Sequence, residues 1–244
     1  MREGCNKLTL YSLAKSQLLF NAGGQQPSIS KSLTTCSDNM GVTEHEAKLL
    51  TLDRELRAEA DDLLERGGLR NVLEEYFPIA VIGSYALNLM VWRDLDIIMD
   101  APSITVGEFF DLGSRITTLL SAWKMFFTDN REHASAEPPN GLYWGIRLGD
   151  TKSGAWKIDL WAFDSDEFRH KQSECVDLMR GMTPQNRLTI LDLKSSVWRD
   201  PRYRKSVSSQ DIYTAVLKHG IGNVEEFWRY AENIKTFEGD GGLK

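Results

Sequence analysis

An apolar stretch interrupted by two aspartates constrains the fold more than any other feature of the sequence. Residues 81–100 read VIGSYALNLMVWRDLDIIMD. A short apolar segment ends at Gly83-Ser84, and the next apolar run contains Asp94 and Asp96. Residues two apart in a β-strand project from the same face of the sheet. The two carboxylates therefore point the same way, and because like charges repel, we expect a cation beside them.

A third aspartate occurs in a similar setting. Residues 155–163 read AWKIDLWAF, an apolar strand interrupted by Asp159. If this strand lies beside the strand that carries Asp94 and Asp96, the three carboxylates form one cluster. Mg²⁺ takes oxygen ligands and commonly binds one or two carboxylates together with substrate phosphates. The sequence therefore predicts a site at these three aspartates for one or two Mg²⁺ ions, which could serve an in-line displacement.

The Gly83-Ser84 pair favours phosphate binding when it is taken together with the aspartates. Glycine at a strand end allows the backbone to approach a phosphate closely. A helix that starts there offers free N–H groups, and the serine hydroxyl can donate to a phosphate oxygen. Taken alone, the same pair is more simply an ordinary strand-to-helix turn capped by serine.

Apolar periodicity indicates an α+β protein, in which a mixed α/β part precedes an all-helical part. A capping-box spacing at Thr43 and Glu46 predicts the start of a helix that ends at Gly67-Gly68. We predict strands at 79–82, 95–99 and 124–128, helices at 69–76, 85–91 and 106–123, and a hairpin of 142–148 with 155–163. The chain after residue 164 reads as helical, with Thr183-Pro184 as one helix start.

These patterns suggest four segments. Residues 1–42 are polar and aperiodic, which predicts a disordered N-terminal extension. Residues 43–164 form the α/β domain, 165–235 a helical C-terminal region, and 236–244 a frayed tail. The three cysteines are odd in number and far apart, which favours the cytoplasm over a disulfide-bonded compartment. The sequence contains no run of about 18 apolar residues, so it predicts no transmembrane helix.

The spacing of these features resembles that of a known superfamily. Gly83-Ser84, a nine-residue gap and Asp94-Leu95-Asp96-Ile97 look like the signature of the DNA polymerase β-like nucleotidyltransferases. KIDLWAFD, at 157–164, is similar to the third-carboxylate strand of the small antibiotic nucleotidyltransferases of the lincosamide and aminoglycoside types. The resemblance implies a small mixed sheet flanked by helices and a helical C-terminal region that shapes the acceptor site. It also implies Mg²⁺, an NTP such as ATP, transfer of a nucleoside monophosphate and release of pyrophosphate.

The resemblance implies roles for particular residues. The three aspartates would be the catalytic and metal-binding groups, with Asp159 holding a second metal or accepting the proton of the acceptor hydroxyl. Gly83 and Ser84 would hold the terminal phosphates. The resemblance does not identify basic residues, and Arg93 and Lys194 are our candidates for binding the triphosphate. For Lys194, a surface lysine that flanks a core helix is the simpler interpretation. The other basic candidates are Arg187, Arg199, Arg202, Arg204 and Lys205.

One departure concerns the loop after the serine. Many members of the superfamily carry a further glycine four residues after it, where this chain has Asn88. The departure affects the expected loop shape and removes no carboxylate.

Three functional interpretations follow. The first is a nucleotidyltransferase that modifies a hydroxyl of a small molecule, because the net charge of −6 makes a nucleic acid an unlikely partner. The second is an enzyme that modifies a protein or an RNA end, as toxin–antitoxin nucleotidyltransferases do. The third is an inactive nucleotide-binding scaffold. A serine hydrolase and a dinucleotide-binding fold are disfavoured because the sequence lacks their glycine motifs.

Overall fold

A computed structural model describes residues 43–132 and 139–239 of the protein. The described residues all belong to one compact unit. The helices are α1 (Glu44–Asp61), α2 (Leu69–Glu74), α3 (Gly83–Ala86), α4 (Val106–Leu120), α5 (Ser165–Arg180), α6 (Pro184–Val197), α7 (Ser209–His219) and α8 (Val224–Gly239). The strands are β1 (Ile79–Ile82), β2 (Asp94–Asp100), β3 (Lys124–Asp129), β4 (Leu142–Arg147) and β5 (Lys157–Phe163).

The five strands form one mixed sheet in the order β1-β2-β5-β4-β3. Strands β2 and β5 are parallel, and every other neighbouring pair is antiparallel. The predicted hairpin is present, since Leu142 pairs with Ala162 and Arg147 pairs with Lys157. The expected fold class, a small mixed sheet with flanking helices and a helical region after it, is confirmed.

Helix α1 begins as its sequence predicts. The Thr43 side chain accepts from the Glu46 backbone, and the Glu46 carboxylate accepts in return from the Thr43 backbone. This reciprocal capping satisfies two N–H groups that the first turn would otherwise leave free. The helix then continues through a π-helical turn (Asp62–Arg66) to the predicted glycine stop, where Gly68 adopts a φ of 76°.

The buried side chains form two main cores. One lies between the sheet and the helices α2 and α4, and it includes Leu73, Ile97 and Phe109. The other is built mainly by α6, α7 and α8. Helix α1 contributes to both, because Leu56 packs in the sheet core and Leu49 packs in the helical core. The helix that begins the described chain thus joins the sheet to the C-terminal helices.

The predicted helix at 85–91 is wrong. Helix α3 ends at Ala86, and the chain then turns through Asn88, which adopts the left-handed conformation with φ of 58°. The buried Asp53 carboxylate accepts from the Met90 backbone N–H at 2.8 Å, and Arg187 donates to the Asn88 carbonyl at 2.9 Å. Arg187 and Asp53 also pair with each other at 2.7 Å. The Asn88 carbonyl and the Met90 N–H, which make no helical hydrogen bond, therefore have side-chain partners.

Some predictions concern residues that the structure does not describe. The predicted disordered extension at 1–42 lies outside the described residues, as do residues 240–244 of the predicted tail. Helix α8 extends to Gly239. Between residues 43 and 239, excluding 133–138, no helix has the length and apolar character needed to cross a lipid bilayer.

Candidate metal and nucleotide site

The three predicted aspartates meet on two adjacent strands. Asp96 on β2 lies directly opposite Asp159 on the parallel strand β5, and Asp94 precedes Asp96 by two residues on the same face. Each offers a carboxylate oxygen, and these three atoms lie within 4.8 Å of one another. Residues far apart in sequence therefore form the cluster that the strand pattern predicts.

A lysine is placed among these carboxylates by the same strand register. Lys157 lies opposite Asp94 and two residues before Asp159, so it shares their face of the sheet. Its Nζ atom is 2.8 Å from Asp94 Oδ1 and 2.5 Å from Asp159 Oδ2. Burial by itself lowers the pKa of Lys157, but the three neighbouring carboxylates outweigh it and hold the pKa above its usual value. Lys157 is therefore a fixed cation within the cluster.

Asp94 and Asp159 have further partners. Tyr143 donates to Asp159 Oδ1 at 2.8 Å, and the guanidinium of Arg147 lies 3.5 Å from the same oxygen. Arg204 lies 3.5 Å from Asp94 Oδ2. Burial raises the pKa of Asp94, but Lys157 and Arg204 overcome this effect and the net shift is downward. Asp94 is therefore held as an ionised carboxylate, and Asp159 is held by three hydrogen-bond or ion-pair partners.

Asp96 differs from its two neighbours. No described residue donates a hydrogen bond to its carboxylate or forms an ion pair with it, although one of its oxygens lies within 4.8 Å of an oxygen of each of the other two aspartates. Burial, followed by repulsion from Asp94, raises the pKa of Asp96 to about 7, despite the opposing effect of Lys157. Among the described residues, the carboxylate whose pKa is raised is thus the one without a direct ion-pair partner.

The donor set fits a hard divalent cation. All three candidate ligands are carboxylate oxygens, which Mg²⁺ prefers, and the spacing allows one ion to contact all three. The cations that the protein supplies, Lys157, Arg147 and Arg204, form ion pairs with Asp94 and Asp159. The Asp96 carboxylate has no such partner among the described residues, so we expect the metal ion to bind on its side of the cluster.

The strand-to-helix turn at Gly83 lies against Asp96. Ile82 pairs with Asp96 across β1 and β2, so the turn that follows Ile82 comes close to the carboxylate. Gly83 has a φ of 64°, in the left-handed region that favours glycine. A Cβ atom at this position would overlap the Asp96 carboxylate. Glycine is therefore required both by backbone conformation and by the space that Asp96 occupies.

Lys194 is fully buried beneath this turn, with an exposed fraction of 0%. Its Nζ atom donates to Ser84 Oγ at 2.6 Å, to the Leu89 carbonyl at 2.7 Å and to Tyr213 Oη at 3.3 Å. The ammonium also lies 4.9 Å from the centre of the Trp92 ring. The expectation of a surface lysine is wrong, because the turn, the carbonyl and the aromatic rings provide a buried polar site for the ammonium.

The other basic candidates have separate partners. Arg93 makes two contacts with Glu59, at 2.5 and 2.7 Å, and donates to the Gly154 carbonyl at 3.1 Å. The structure therefore places Arg93 in an ion pair at the rim of the site and away from Ser84. Arg187 pairs with Asp53, and Arg202 pairs with Asp200 at 2.9 Å.

A basic and aromatic cavity of about 530 Å³ adjoins the carboxylates. Two of its lining residues, Lys157 and Arg204, contact Asp94 directly. Its cationic lining residues are Arg93, Lys152, Lys157, Arg199, Arg204 and Lys205. Its aromatic residues are Trp92, Trp198 and Tyr203, and Trp92 stacks on Trp198 with ring centres 5.5 Å apart.

Several residues of the site were missed by the sequence analysis. The position of Lys157 follows from the same rule that pairs Asp94 with Asp96, because it precedes Asp159 by two residues. No local pattern indicates Tyr143 or Tyr213, which reach the site from β4 and α7. Asp53 lies in a helix with no motif, and its role appears only through its contacts with Met90 and Arg187.

Comparisons with known proteins yield structural similarity alone. No protein-family profile matches the sequence, and no curated protein matches it. A mutant of the Cid1 poly(U) polymerase bound to MgATP superposes with a TM-score of 0.49 at 13% identity, over 74% of this chain and 57% of that one. The GLD-2/RNP-8 complex gives 0.44 at 13% identity, over 70% and 64%. Terminal uridylyl transferase 4 from Trypanosoma brucei, with bound UPU, gives 0.42 at 12% identity, over 69% and 57%.

The aligned part of the first of these structures is a little over half of its length. The sequence identity is low, and these comparisons indicate a similar fold without assigning a chemistry to this chain.

Proposed function

We propose that this protein is a metal-dependent nucleotidyltransferase of the DNA polymerase β-like type. One observation carries the proposal: Asp94, Asp96 and Asp159 converge within 4.8 Å on strands β2 and β5. The Gly83-Ser84 turn lies beside them, at the end of strand β1. A carboxylate cluster beside a glycine-serine turn can bind an NTP, because a metal ion held by the carboxylates and the backbone of the turn would contact the same triphosphate.

Each group has a defined task in this proposal. The three aspartates hold Mg²⁺, which when bound neutralises charge on the triphosphate. Gly83 allows the backbone to approach the terminal phosphates, and Lys194 fixes the Ser84 hydroxyl from below. The acceptor hydroxyl oxygen forms a bond to the α-phosphorus, while the bond from that phosphorus to pyrophosphate breaks. Asp159 is the candidate acceptor for the hydroxyl proton.

The cavity supports an anionic acceptor. Of the six cationic side chains in its lining, three pair with carboxylates, namely Arg93, Lys157 and Arg204. The other three, Lys152, Arg199 and Lys205, form no ion pair among the described residues, and Asp200, a carboxylate in that lining, pairs with Arg202. A cationic aminoglycoside would be repelled there, whereas the phosphates of a polynucleotide would be attracted. The stacked Trp92 and Trp198 rings offer surfaces on which bases pack. We therefore favour the 3′-terminal hydroxyl of an RNA over the small-molecule acceptor expected from net charge, because local charge at the site outweighs the total.

The proposal is tested by a transfer assay with defined acceptors. The full chain is incubated with each α-labelled NTP and Mg²⁺, together with an RNA oligonucleotide that ends in a free 3′-hydroxyl. A 3′-deoxy oligonucleotide and a panel of aminoglycosides and lincosamides form the comparison arms. We expect extension of the free-hydroxyl RNA alone and no extension by Asp159→Asn. Labelling of an antibiotic would identify the small-molecule alternative, and absence of transfer and of Mg-NTP binding would refute an enzymatic function.

A matched pair of tryptophan variants tests the acceptor cavity. Trp198→Ala removes a stacking surface from the cavity, and we expect RNA binding to weaken by about 5- to 100-fold, as is typical for loss of one base–aromatic stack. Trp123→Ala is the control, because Trp123 is 67% exposed and does not line the cavity. Equal RNA affinity of the two variants would contradict the assignment of the cavity to RNA. Thermal unfolding of both variants checks that the fold is intact.

A further inference from the structure

We propose that Lys157 serves as a built-in cation of the metal site, so that in the absence of nucleotide the site binds one divalent ion, on the Asp96 side. This inference rests on the proposed function, since it concerns the same three aspartates. Lys157 would neutralise part of the negative charge of these aspartates, and the metal ion would neutralise the rest.

The position of Lys157 is fixed by the sheet. Strand register places it opposite Asp94 and on the same face as Asp159, and its Nζ atom bridges the two carboxylates at 2.8 and 2.5 Å. Its side chain is only 12% exposed, so solvent does little to screen the charge. A cation that bridges two carboxylates occupies the place that a second metal ion would need.

The hydrogen-bond and ion-pair partners that the structure describes are also distributed unequally: they contact Asp94 and Asp159 and leave Asp96 without one. Asp94 contacts Lys157 and Arg204, and Asp159 contacts Lys157, Tyr143 and Arg147. Among the described residues, none donates to Asp96 or pairs with it. The protein thus neutralises one side of the cluster and leaves the other side to an external ion.

A divalent ion bound at Asp96 would feel the ammonium as a like charge. Even with the full screening of bulk water, repulsion between a unit charge and a divalent ion about 5 Å apart weakens binding roughly tenfold. Removing the Lys157 charge should therefore strengthen metal binding and open the space between Asp94 and Asp159 to a second ion. Keeping the charge in a different side chain should change neither property.

Mn²⁺ binding, measured by calorimetry and by electron paramagnetic resonance without nucleotide or acceptor, tests this inference on the full chain. We expect one Mn²⁺ per parent protein, and in Lys157→Met either a second ion or binding at least about tenfold tighter. Lys157→Arg, which keeps the charge, should retain one ion at near-parent affinity. The same stoichiometry and affinity in Lys157→Met and the parent would overturn the inference, as would two ions in the parent.

A second variant separates failure of this inference from failure of the proposed function. Asp96→Asn removes the carboxylate that lacks a partner, and we expect it to abolish Mn²⁺ binding. If Asp96→Asn bound Mn²⁺ as the parent does, the three aspartates would not be the metal site and both proposals would fail. Absence of Mn²⁺ binding in the parent without nucleotide would overturn this inference alone, and binding of Mg-NTP would then decide the proposed function. Thermal unfolding of each variant in EDTA checks that a change in binding does not come from loss of the fold.

Discussion

The unpartnered carboxylate at Asp96 should make the metal-free protein less stable than it would be with a neutral side chain there. Burial and the neighbouring Asp94 raise the pKa of Asp96 from 3.8 to about 7. Between these pH values the unfolded chain ionises this group while the folded protein retains the proton. The contribution of Asp96 to stability therefore falls as pH rises from about 4 to 7, and above pH 7 the full cost is present.

The pKa shift gives the size of this effect. A shift of about three pKa units, at about 1.4 kcal/mol each, sets an upper limit of roughly 4 kcal/mol above pH 7. Solvent access and the coupling to Asp94 reduce this, and we expect Asp96→Asn to raise the free energy of unfolding by about 1–3 kcal/mol at pH 8 in EDTA. The asparagine loses no hydrogen bond that the aspartate makes with a described residue.

Urea unfolding at pH 5 and pH 8, in EDTA and in excess Mg²⁺, measures the effect. The gain should be smaller at pH 5 than at pH 8, and it should shrink or reverse in Mg²⁺, because the parent gains stability from the ion and the variant does not. Asp159→Asn is the matched control: it loses the 2.5 Å ion pair with Lys157 and should be destabilised by about 3 kcal/mol. If Asp96→Asn were no more stable than the parent at pH 8 in EDTA, the description of Asp96 as an uncompensated carboxylate would be refuted.

Two further variants test the turn and the lysine beneath it. Gly83→Ala should weaken Mn²⁺ binding and lower the free energy of unfolding by about 1–3 kcal/mol, because the new Cβ meets Asp96 and φ is positive; unchanged metal affinity would contradict this. Lys194→Met should lower the free energy of unfolding by about 1–3 kcal/mol, since Ser84 and the Leu89 carbonyl lose their donor. It should also weaken Mg-NTP binding in a thermal-shift assay, and a variant with parent stability and parent affinity would exclude a positioning role for Lys194.

The parts of the fold that follow from local pattern were predictable. Alternation with a period of two gives both the β4–β5 hairpin and the shared face of Asp94 and Asp96, because side chains in a strand alternate whatever lies beyond it. The pairing of Asp96 with Asp159 needed one additional assumption, that β2 and β5 are neighbours. Strand register then fixes the metal cluster without further information.

The features that were missed depend on distant partners. A helix was expected at 85–91 because the chain must turn back before the next strand, but the conformation of residues 87–90 is set in part by Asp53 and Arg187, which are far from them in the chain. Lys194 was expected at the surface because it is a charged residue that flanks the apolar face of its helix. It is buried because its ammonium donates to Ser84, a residue 110 positions earlier in the chain. Helical periodicity describes one element at a time, and it cannot reveal that a charged side chain will find a polar site on another element.

The contacts of Lys194 have a mechanical consequence. Helix α6 carries this side chain, and the chain from Ser84 to Leu89 receives its hydrogen bonds. Arg187, about two turns earlier on α6, donates to the Asn88 carbonyl in the same loop. Helix α6 and the segment from Ser84 to Leu89 are thus joined at two places, so a tilt of α6 relative to the sheet would reshape the Gly83-Ser84 turn. In the proposed enzyme, movement of α6 would therefore alter the turn that is proposed to hold the triphosphate.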